Sequence, residues 1–329
     1  MINIIDNYAN ADKLLWSGLV DSAPNGSFFQ TPDSFRFLKE AGGHDPFVFI
    51  GEKGGRYSML CSGSIQYSAS PLLKHFSRRA IVIGGLVTDT EADHDDIAFF
   101  LNYLTARLSK KAVYLEIRNL SDYAALNPLF EAAGFIRIAH LNFQVTVNGY
   151  ENAFRQLNQS RRRQVRKSLD GGAEIVVSKS ETEVEAFYSV LRETYRRKVH
   201  RPLPAKEFFI KFMESGLGVY LLVRYKERII GGIMCPVHGQ KALYEWYVAG
   251  EDGKYPGIYP SVLATWSAIE YAASNKIRIF DFMGAGRPDE SYGVRDFKEK
   301  FGGTQVEHGR YLKVFNKVVY RAGSIIFSR

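Results

Sequence analysis

Apolar residues along this chain repeat with two periods, and the two periods alternate. Helical spacing predicts helices over 9–19, 33–41, 93–109 and near 128–133, with the third opening on the acidic turn Asp93-His94-Asp95-Asp96. Alternating or short continuous apolar runs predict strands over 47–51, 58–66, 81–86, 112–118 and 136–146. The second half gives helices over 181–197, 205–215 and 261–274, the last preceded by Pro260. Its strands are predicted over 219–224, 228–237, 241–249, 277–282 and 309–315. No apolar run approaches the ~20 residues needed to cross a bilayer.

The order of elements in the first half recurs in the second. Tyr114-Leu115-Glu116-Ile117 parallels Ile279-Phe280-Asp281-Phe282, and 129–135 parallels 296–302. A strand, a short helix and a Gly stop recur at matching places, which reads as a duplication. The expected class is therefore α/β, two domains of mixed sheet flanked by helices, at 1–150 and 151–329. Length supports two, because 329 residues exceed one ordinary core. The second copy carries Lys298 where the first has Glu131. Val294, Phe297 and Phe301 at i, i+3 and i+7 predict a buried helix face, with Arg295 and Lys298 on the face beside it. That arrangement presents a cation near the end of the strand 277–282, within reach of a ligand.

Composition narrows the class without deciding it. The chain is 46% hydrophobic and 24% charged, ordinary for a globular protein. Met1-Ile2-Asn3-Ile4-Ile5-Asp6 has neither a basic n-region nor a long apolar core, so a cytoplasmic protein is expected. Cys61 and Cys235 sit in apolar or small-residue strands and read as buried, inert thiols. The net charge of +8 is uneven: 160–211 holds 13 Lys or Arg against 7 Asp or Glu. Such a segment is either a solvated helical face or the contact for an anion: phosphate, nucleic acid or a lipid headgroup. On a helix Arg162, Arg163, Arg166 and Lys167 share one face. His200 and His238 read as loop or surface residues, and no metal-ligand spacing is present. The tail 311–327 mixes Lys and Arg with apolar residues and suits either docking on the second domain or peripheral membrane contact.

Several segments together resemble a known family. They are Phe28-Phe29-Gln30 with Phe35 and Lys39, Gly84-Gly85-Leu86-Val87, the basic run 159–168 with Gly171-Gly172, Glu193–Arg197, Tyr244-Glu245-Trp246-Tyr247, and 293–302. In order and spacing they are similar to the Fem-type aminoacyltransferases of peptidoglycan synthesis, built from two tandem GNAT-like acyltransferase domains. The likeness covers nearly the whole chain. It departs in three places: no long helical arm, Arg118-Asn119 where Asp-Pro is typical, and Gly85-Leu86 in place of Gly-Pro.

The resemblance implies an N-acyltransferase, cytoplasmic and acting in cell wall biogenesis, with catalysis in the second domain. The aminoacyl group would pass from an aminoacyl-tRNA to an amine of a nucleotide- or lipid-linked muropeptide. By this likeness Lys298 stabilises the oxyanion or balances a tRNA phosphate, and Asp281 accepts a proton or orients Lys298. Arg162, Arg163, Arg166 and Lys167, extended by Arg196, would contact substrate phosphates, and Lys39 the nucleotide or lipid phosphates of the acceptor. Tyr244, Tyr247 and Arg295 complete the candidate substrate contacts, with core packing the alternative for each tyrosine. Tyr244 and Trp246 should face one side of their strand and Tyr247 the other. No cofactor is expected to be tightly bound. An acyl-CoA donor with an amino-sugar or other amine acceptor is a second enzymatic reading. At 254–261 only Gly257 remains of the usual pyrophosphate loop, and Pro256 and Pro260 lack amide donors. A non-catalytic module for anionic ligands is the third reading.

Overall fold

Both halves of the chain turn their two periods into a mixed sheet with helices on its two faces. The computed structural model describes residues 2–67, 76–199 and 202–327. The strands are β1 Asn3–Ile5, β2 His44–Lys53, β3 Arg56–Gln66, β4 Arg79–Ile83, β5 Val87–Thr88, β6 Tyr114–Arg118, β7 Ile136–Ile138 and β8 Asn142–Thr146. They continue as β9 Glu174–Ser178, β10 Gly218–Tyr225, β11 Arg228–His238, β12 Ala242–Tyr244, β13 Tyr247–Gly250, β14 Ile279–Asp281, β15 Thr304–Val306 and β16 Arg310–Val314. The helices are α1 Lys13–Ser22, α2 Pro32–Ala41, α3 His94–Leu108, α4 Asn127–Ala132, α5 Tyr150–Gln156 and α6 Gln159–Asp170. They close with α7 Glu181–Thr194, α8 Lys206–Ser215, α9 Pro260–Ser274, α10 Gly293–Glu299 and α11 Lys317–Phe327.

One sheet runs β1-β2-β3-β4-β6-β16-β7 and the other β9-β10-β11-β12-β14-β8-β15. Position by position the two orders correspond. Each is antiparallel except for one central pair, β4/β6 in the first and β12/β14 in the second. A parallel pair requires a crossover, and α3 and α9 supply it. In each sheet a branch strand leaves the path: β5 pairs β3, and β13 pairs β11.

The chain does not divide at residue 150 as expected. One unit is Met1–His140 with Glu307–Arg329, and the other is Leu141–Val306. The single strand predicted over 136–146 is two strands, β7 and β8, in different sheets. β8 lies between β14 and β15, while β16 returns to lie between β6 and β7. The tail likewise belongs to the first unit, where Tyr320 meets the Tyr114 ring edge-on at 5.2 Å. Docking on the second domain is thereby corrected. β9 and α5 were not predicted, and 241–249, expected as one strand, is broken into β12 and β13.

Local chemistry explains where elements begin. Asp12, Asp93 and Asn158 accept backbone N–H bonds at the starts of α1, α3 and α6. Thr31 does the same for α2, whose first residue is Pro32. Gln30 is fully buried and ties β3 to the end of β4, donating to Ser62 O (3.0 Å) and Ile83 O (2.6 Å) and accepting from Ser62 N (2.8 Å). In the second unit α9 is buried on nearly every side, with Trp266 packed beside Phe154 and Tyr150. Cys61 and Cys235 are buried, neither forms a disulfide, and burial pushes the Cys61 thiol up to about 12. His238, expected near the surface, is buried at the end of β11, and His200 lies outside the described residues. No helix among the described residues is long and apolar enough to cross a membrane, and none of their acidic, His or Cys groups could hold a metal ion.

Candidate acyl-transfer site

The second unit's site begins at the break between β12 and β13. β11 holds β12 through Val237 and His238, and β13 through 231–234. β14 follows β12 as far as Tyr244–Asp281, with one further bond from Glu245 N to Asp281 O (2.9 Å). Beyond that the chain turns through Met283 (φ 57°) and Gly284 (φ 129°). A left-handed Met is backbone strain, which persists only where surrounding contacts enforce it.

Lys298 is the main enforcing contact. Its Nζ donates to Phe282 O at 2.7 Å and Gly284 O at 2.9 Å, and it pairs with Glu245 Oε1 at 2.9 Å. Three acceptors match the three donors of an ammonium. Lys298 is 8% exposed and Glu245 6%. The expectation of a cation open to reactants is therefore corrected: α10 turns so that Val294 is 40% exposed and Lys298 faces inward. Burial pushes the Glu245 carboxyl above its ordinary value, and the Lys298 ammonium opposes that shift. Glu245 Oε2 is buried and has no hydrogen-bond partner among the described residues.

Asp281 is 1% exposed, and both its oxygens are engaged. It accepts from Asn142 Nδ2 (2.9 Å), Gln144 Nε2 (2.8 Å) and the Met283 amide (2.6 Å). This is the geometry of an anchor for the 281–284 turn rather than of a base facing substrate. Arg295 is also bound to the chain: it donates to the carbonyls of Ala285 (3.1 Å), Arg287 and Glu290 (3.0 Å), holding the loop before α10.

The basic helix behaves differently. Arg162, Arg163, Arg166 and Lys167 of α6 line one open hollow of about 700 Å³, together with Arg155 and Phe154 of α5. Among the described residues Glu151 and Asp170 are the acidic groups lining it, so cations exceed carboxylates there by three. Arg161, on the other face of α6, is buried beneath this surface, with its guanidinium 4.5 Å from the Phe297 ring centre and 5.2 Å from that of Phe301. Lys167 crosses Gly257, where an added Cβ would come within 2.9 Å of the lysine Cε. The hollow thus adjoins the start of α9. There the Tyr259 amide donates to Ser168 Oγ (3.0 Å) and the Ser261 amide to Asp252 Oδ1 (3.1 Å). Two amides at this helix start, where a pyrophosphate would be cradled, are thus already bound, one of them to a carboxylate.

The remaining sequence candidates scatter. Arg196 pairs with Glu193 on the exposed π turn Tyr195–Val199 and does not line the hollow. Lys39 is exposed on α2 of the first unit, 6.0 Å from the Tyr8 ring centre. Tyr244 is buried. Trp246 and Tyr247 do not face opposite sides: both rings pack on Phe208, and Phe209 lies 5.0 Å from Tyr247. The break at Glu245 cancels the alternation of an unbroken strand. Glu245 and Arg155 were missed as site residues. A lone carboxylate inside an aromatic strand was the available signal for Glu245; Arg155 stands one helix before the basic run and carried none.

Comparison with known proteins agrees with this geometry. Residues 152–299 match the family described as acetyltransferase (GNAT) domain. The crystal structure of FemX superposes with a TM-score of 0.71 at 13% identity, over 97% of this chain and 99% of that one. This chain has the same fold as FemX, two GNAT-like units in tandem. L-PGS from Bacillus licheniformis is similar at TM-score 0.59 and 13% identity, covering 97% of this chain and 96% of that one. A tandem GNAT protein from the clavulanic acid biosynthesis pathway is similar at TM-score 0.59 and 11% identity, covering 96% and 99%. No curated protein sequence matches the chain. The match at 152–299 falls within the second unit, and identities this low carry the fold and neither the activity nor the substrate.

Proposed function

We propose that this tandem GNAT protein transfers an aminoacyl group from aminoacyl-tRNA to an amine of a peptidoglycan precursor. One observation carries the choice of donor: the five cations of the α5–α6 hollow lie beside an α9 start at which the Tyr259 and Ser261 amides are already bound. A surface of arginines suits successive backbone phosphates, whereas coenzyme A would have to displace Asp252. The likeness of the sequence motifs to Fem-type aminoacyltransferases supplies the aminoacyl group and the acceptor.

The reaction needs no covalent enzyme intermediate. The acceptor amine attacks the ester carbonyl, a C–N bond forms, the C–O bond to the tRNA ribose breaks, and the ribose hydroxyl leaves with the amine's proton. Lys298 acts here as a positioning residue. By holding Phe282 O and Gly284 O it fixes the strained turn at the end of β14, and Asp281 fixes the same turn from its other side.

A CoA-dependent reading draws support from the family matched by 152–299, described as an acetyltransferase domain. The sealed Lys298 is the feature a non-catalytic module would have. One experiment separates all three. Labelled aminoacyl-tRNA and labelled acetyl-CoA are offered separately, each with a lipid-linked muropeptide and with amino sugars. Labelled amide from the tRNA alone supports the proposal, and amide from acetyl-CoA alone replaces it. RNA binding with no product from any pairing selects the module.

A further inference from the structure

Helix α6 has a charged outer face and a buried inner one, and the inner face reaches the strained turn of the acyl-transfer site. Arg161, Val165 and Ser168 are its buried residues. The Arg161 guanidinium lies against Phe297 of α10 and Phe301 just after it, whose rings are 5.2 Å apart. Phe301 in turn stands 6.0 Å from the ring of Phe282, whose carbonyl Lys298 holds. A second tie runs beside the first. Asn158 caps α6 with its side chain, accepting from the Arg161 amide at 2.9 Å, while its own amide donates to Lys300 O at 3.0 Å. Gly302 (φ 84°) closes the joint, since a Cβ there would lie 2.6 Å from Gln156 O. The start of α6 and the end of α10 are thereby fastened to each other.

Packing alone does not account for an arginine at 161. Nη1 donates to Gln164 Oε1 (2.6 Å) and Nη2 to Phe297 O (3.4 Å), but Nε is buried with no hydrogen-bond partner among the described residues. A methionine would fill the same space against two phenyl rings without leaving a buried donor unpaired. The arginine adds a charge where charges already crowd. Arg162 and Arg166 are four apart, as are Arg163 and Lys167, and like charges at that spacing weaken a helix. The first turn of α6 holds no acidic residue, so its cations also oppose the helix dipole. An anion in the hollow removes both penalties and firms that turn.

We propose that Arg161 is a positioning residue that couples the α5–α6 hollow to the turn at the end of β14. A polyanion held by Arg162, Arg163, Arg166 and Lys167 firms the start of α6. Arg161, with the Asn158 joint, passes that order to α10, to Lys298 and to the Met283–Gly284 turn. The two states are a loosened and a firmed first turn of α6, and the anion binds the firmed one more tightly. The arriving donor then orders the groups that orient its own ester. That the polyanion is a tRNA rests on the function proposed above; the coupling itself does not.

The test is hydrogen exchange of the full chain read by mass spectrometry, with saturating deacylated tRNA and, separately, saturating inorganic tripolyphosphate. In the wild type either anion should slow exchange by about threefold or more in 159–170 and also in 281–301. R161M should keep the slowing in 159–170 and lose it in 281–301. A merely structural Arg161 gives a different result: R161M then exchanges faster in 281–301 with and without anion, and the slowing by anion remains. R161K keeps the charge but not the planar stack or fork, and is the second variant should R161M not fold; it should lose about half or more of the slowing in 281–301. Slowing confined to 159–170 in the wild type, or retained in 281–301 by the folded variant, overturns the coupling. Tripolyphosphate acting where tRNA does not removes the RNA donor and leaves the coupling in place. If neither anion slows 159–170, the coupling and the anion site of the hollow fall together.

Discussion

The two units place the same break at the same point of the same sheet and fill it with opposite chemistry. In the first, the chain leaves β4 through Gly84-Gly85-Leu86, and the buried Tyr123 hydroxyl bonds both Gly84 O (2.9 Å) and Leu86 O (3.0 Å). Gly85 has φ 86°, and a Cβ there would lie 2.2 Å from that hydroxyl, so only glycine fits. In the second, Glu245 occupies the break and Lys298 reaches it from α10. A neutral phenol closes one break; a desolvated ion pair with an unpartnered oxygen sits in the other. Buried ion pairs are costly to assemble and fix geometry more than they stabilise. The difference teaches that the first unit's break is a sealed joint, while the second unit's holds a strained turn under charge control.

The sharpest way to break this contrast is to remove one charge. K298M leaves Glu245 buried without its counter-ion and should cost about 3–5 kcal/mol in urea unfolding of the second unit. E245Q/K298M should recover most of that loss. A K298M variant as stable as the wild type would mean that the pair does not hold the turn. The matching change in the first unit is milder. Y123F takes the hydroxyl from Gly84 O, while Leu86 O keeps its bond from Asn25 Nδ2, and should cost about 1–2 kcal/mol. Next comes function: R162Q/R166Q should lower transfer from aminoacyl-tRNA at least tenfold, about 1.4 kcal/mol of barrier, and flatten its dependence on salt. Transfer that keeps both rate and salt slope would detach the hollow from the donor.

The smallest effect separates the units by pH. The Glu116 carboxyl is depressed from 4.5 to about 2 in the folded protein. Its contribution to stability is present above about 4.5 and lost as pH falls towards 2, so E116Q should flatten the acid limb of melting temperature against pH. Glu245 has the opposite sign. Its raised value means that its contribution is present below the ordinary carboxylate range and lost as pH rises through the folded value. E245Q should leave the Glu116-dependent limb in place.

Much of the fold was legible because periodicity is local. The long helices α3 and α9 and the strands β2, β3, β10 and β11 lie where their apolar spacing put them, give or take a few residues at each end. The α6 face was legible for the same reason: Arg162, Arg163, Arg166 and Lys167 follow from 3.6 residues per turn, and they meet in one hollow. The errors share a cause too. The run 136–146 alternates apolar and polar residues along most of its length, and nothing in it records that 136–138 and 142–146 choose different sheets. The 241–249 segment hides a break because an aromatic run reads as strand on either side of Glu245. α10 is too short for its period to fix which face is buried, so Lys298 was placed beside the buried stripe rather than within it.

By itself the amino-acid order determined the elements, their duplication, the acyltransferase likeness and the basic face of α6, since each depends on residues close together along the chain. Tertiary structure alone decided that β8 and β16 return to the sheets they do, that Lys298 meets Glu245, and that Arg118 faces Arg310. Those pairings join residues tens to hundreds of positions apart. Their partners are selected by which edges remain unpaired and which charges remain uncompensated after the local elements have formed.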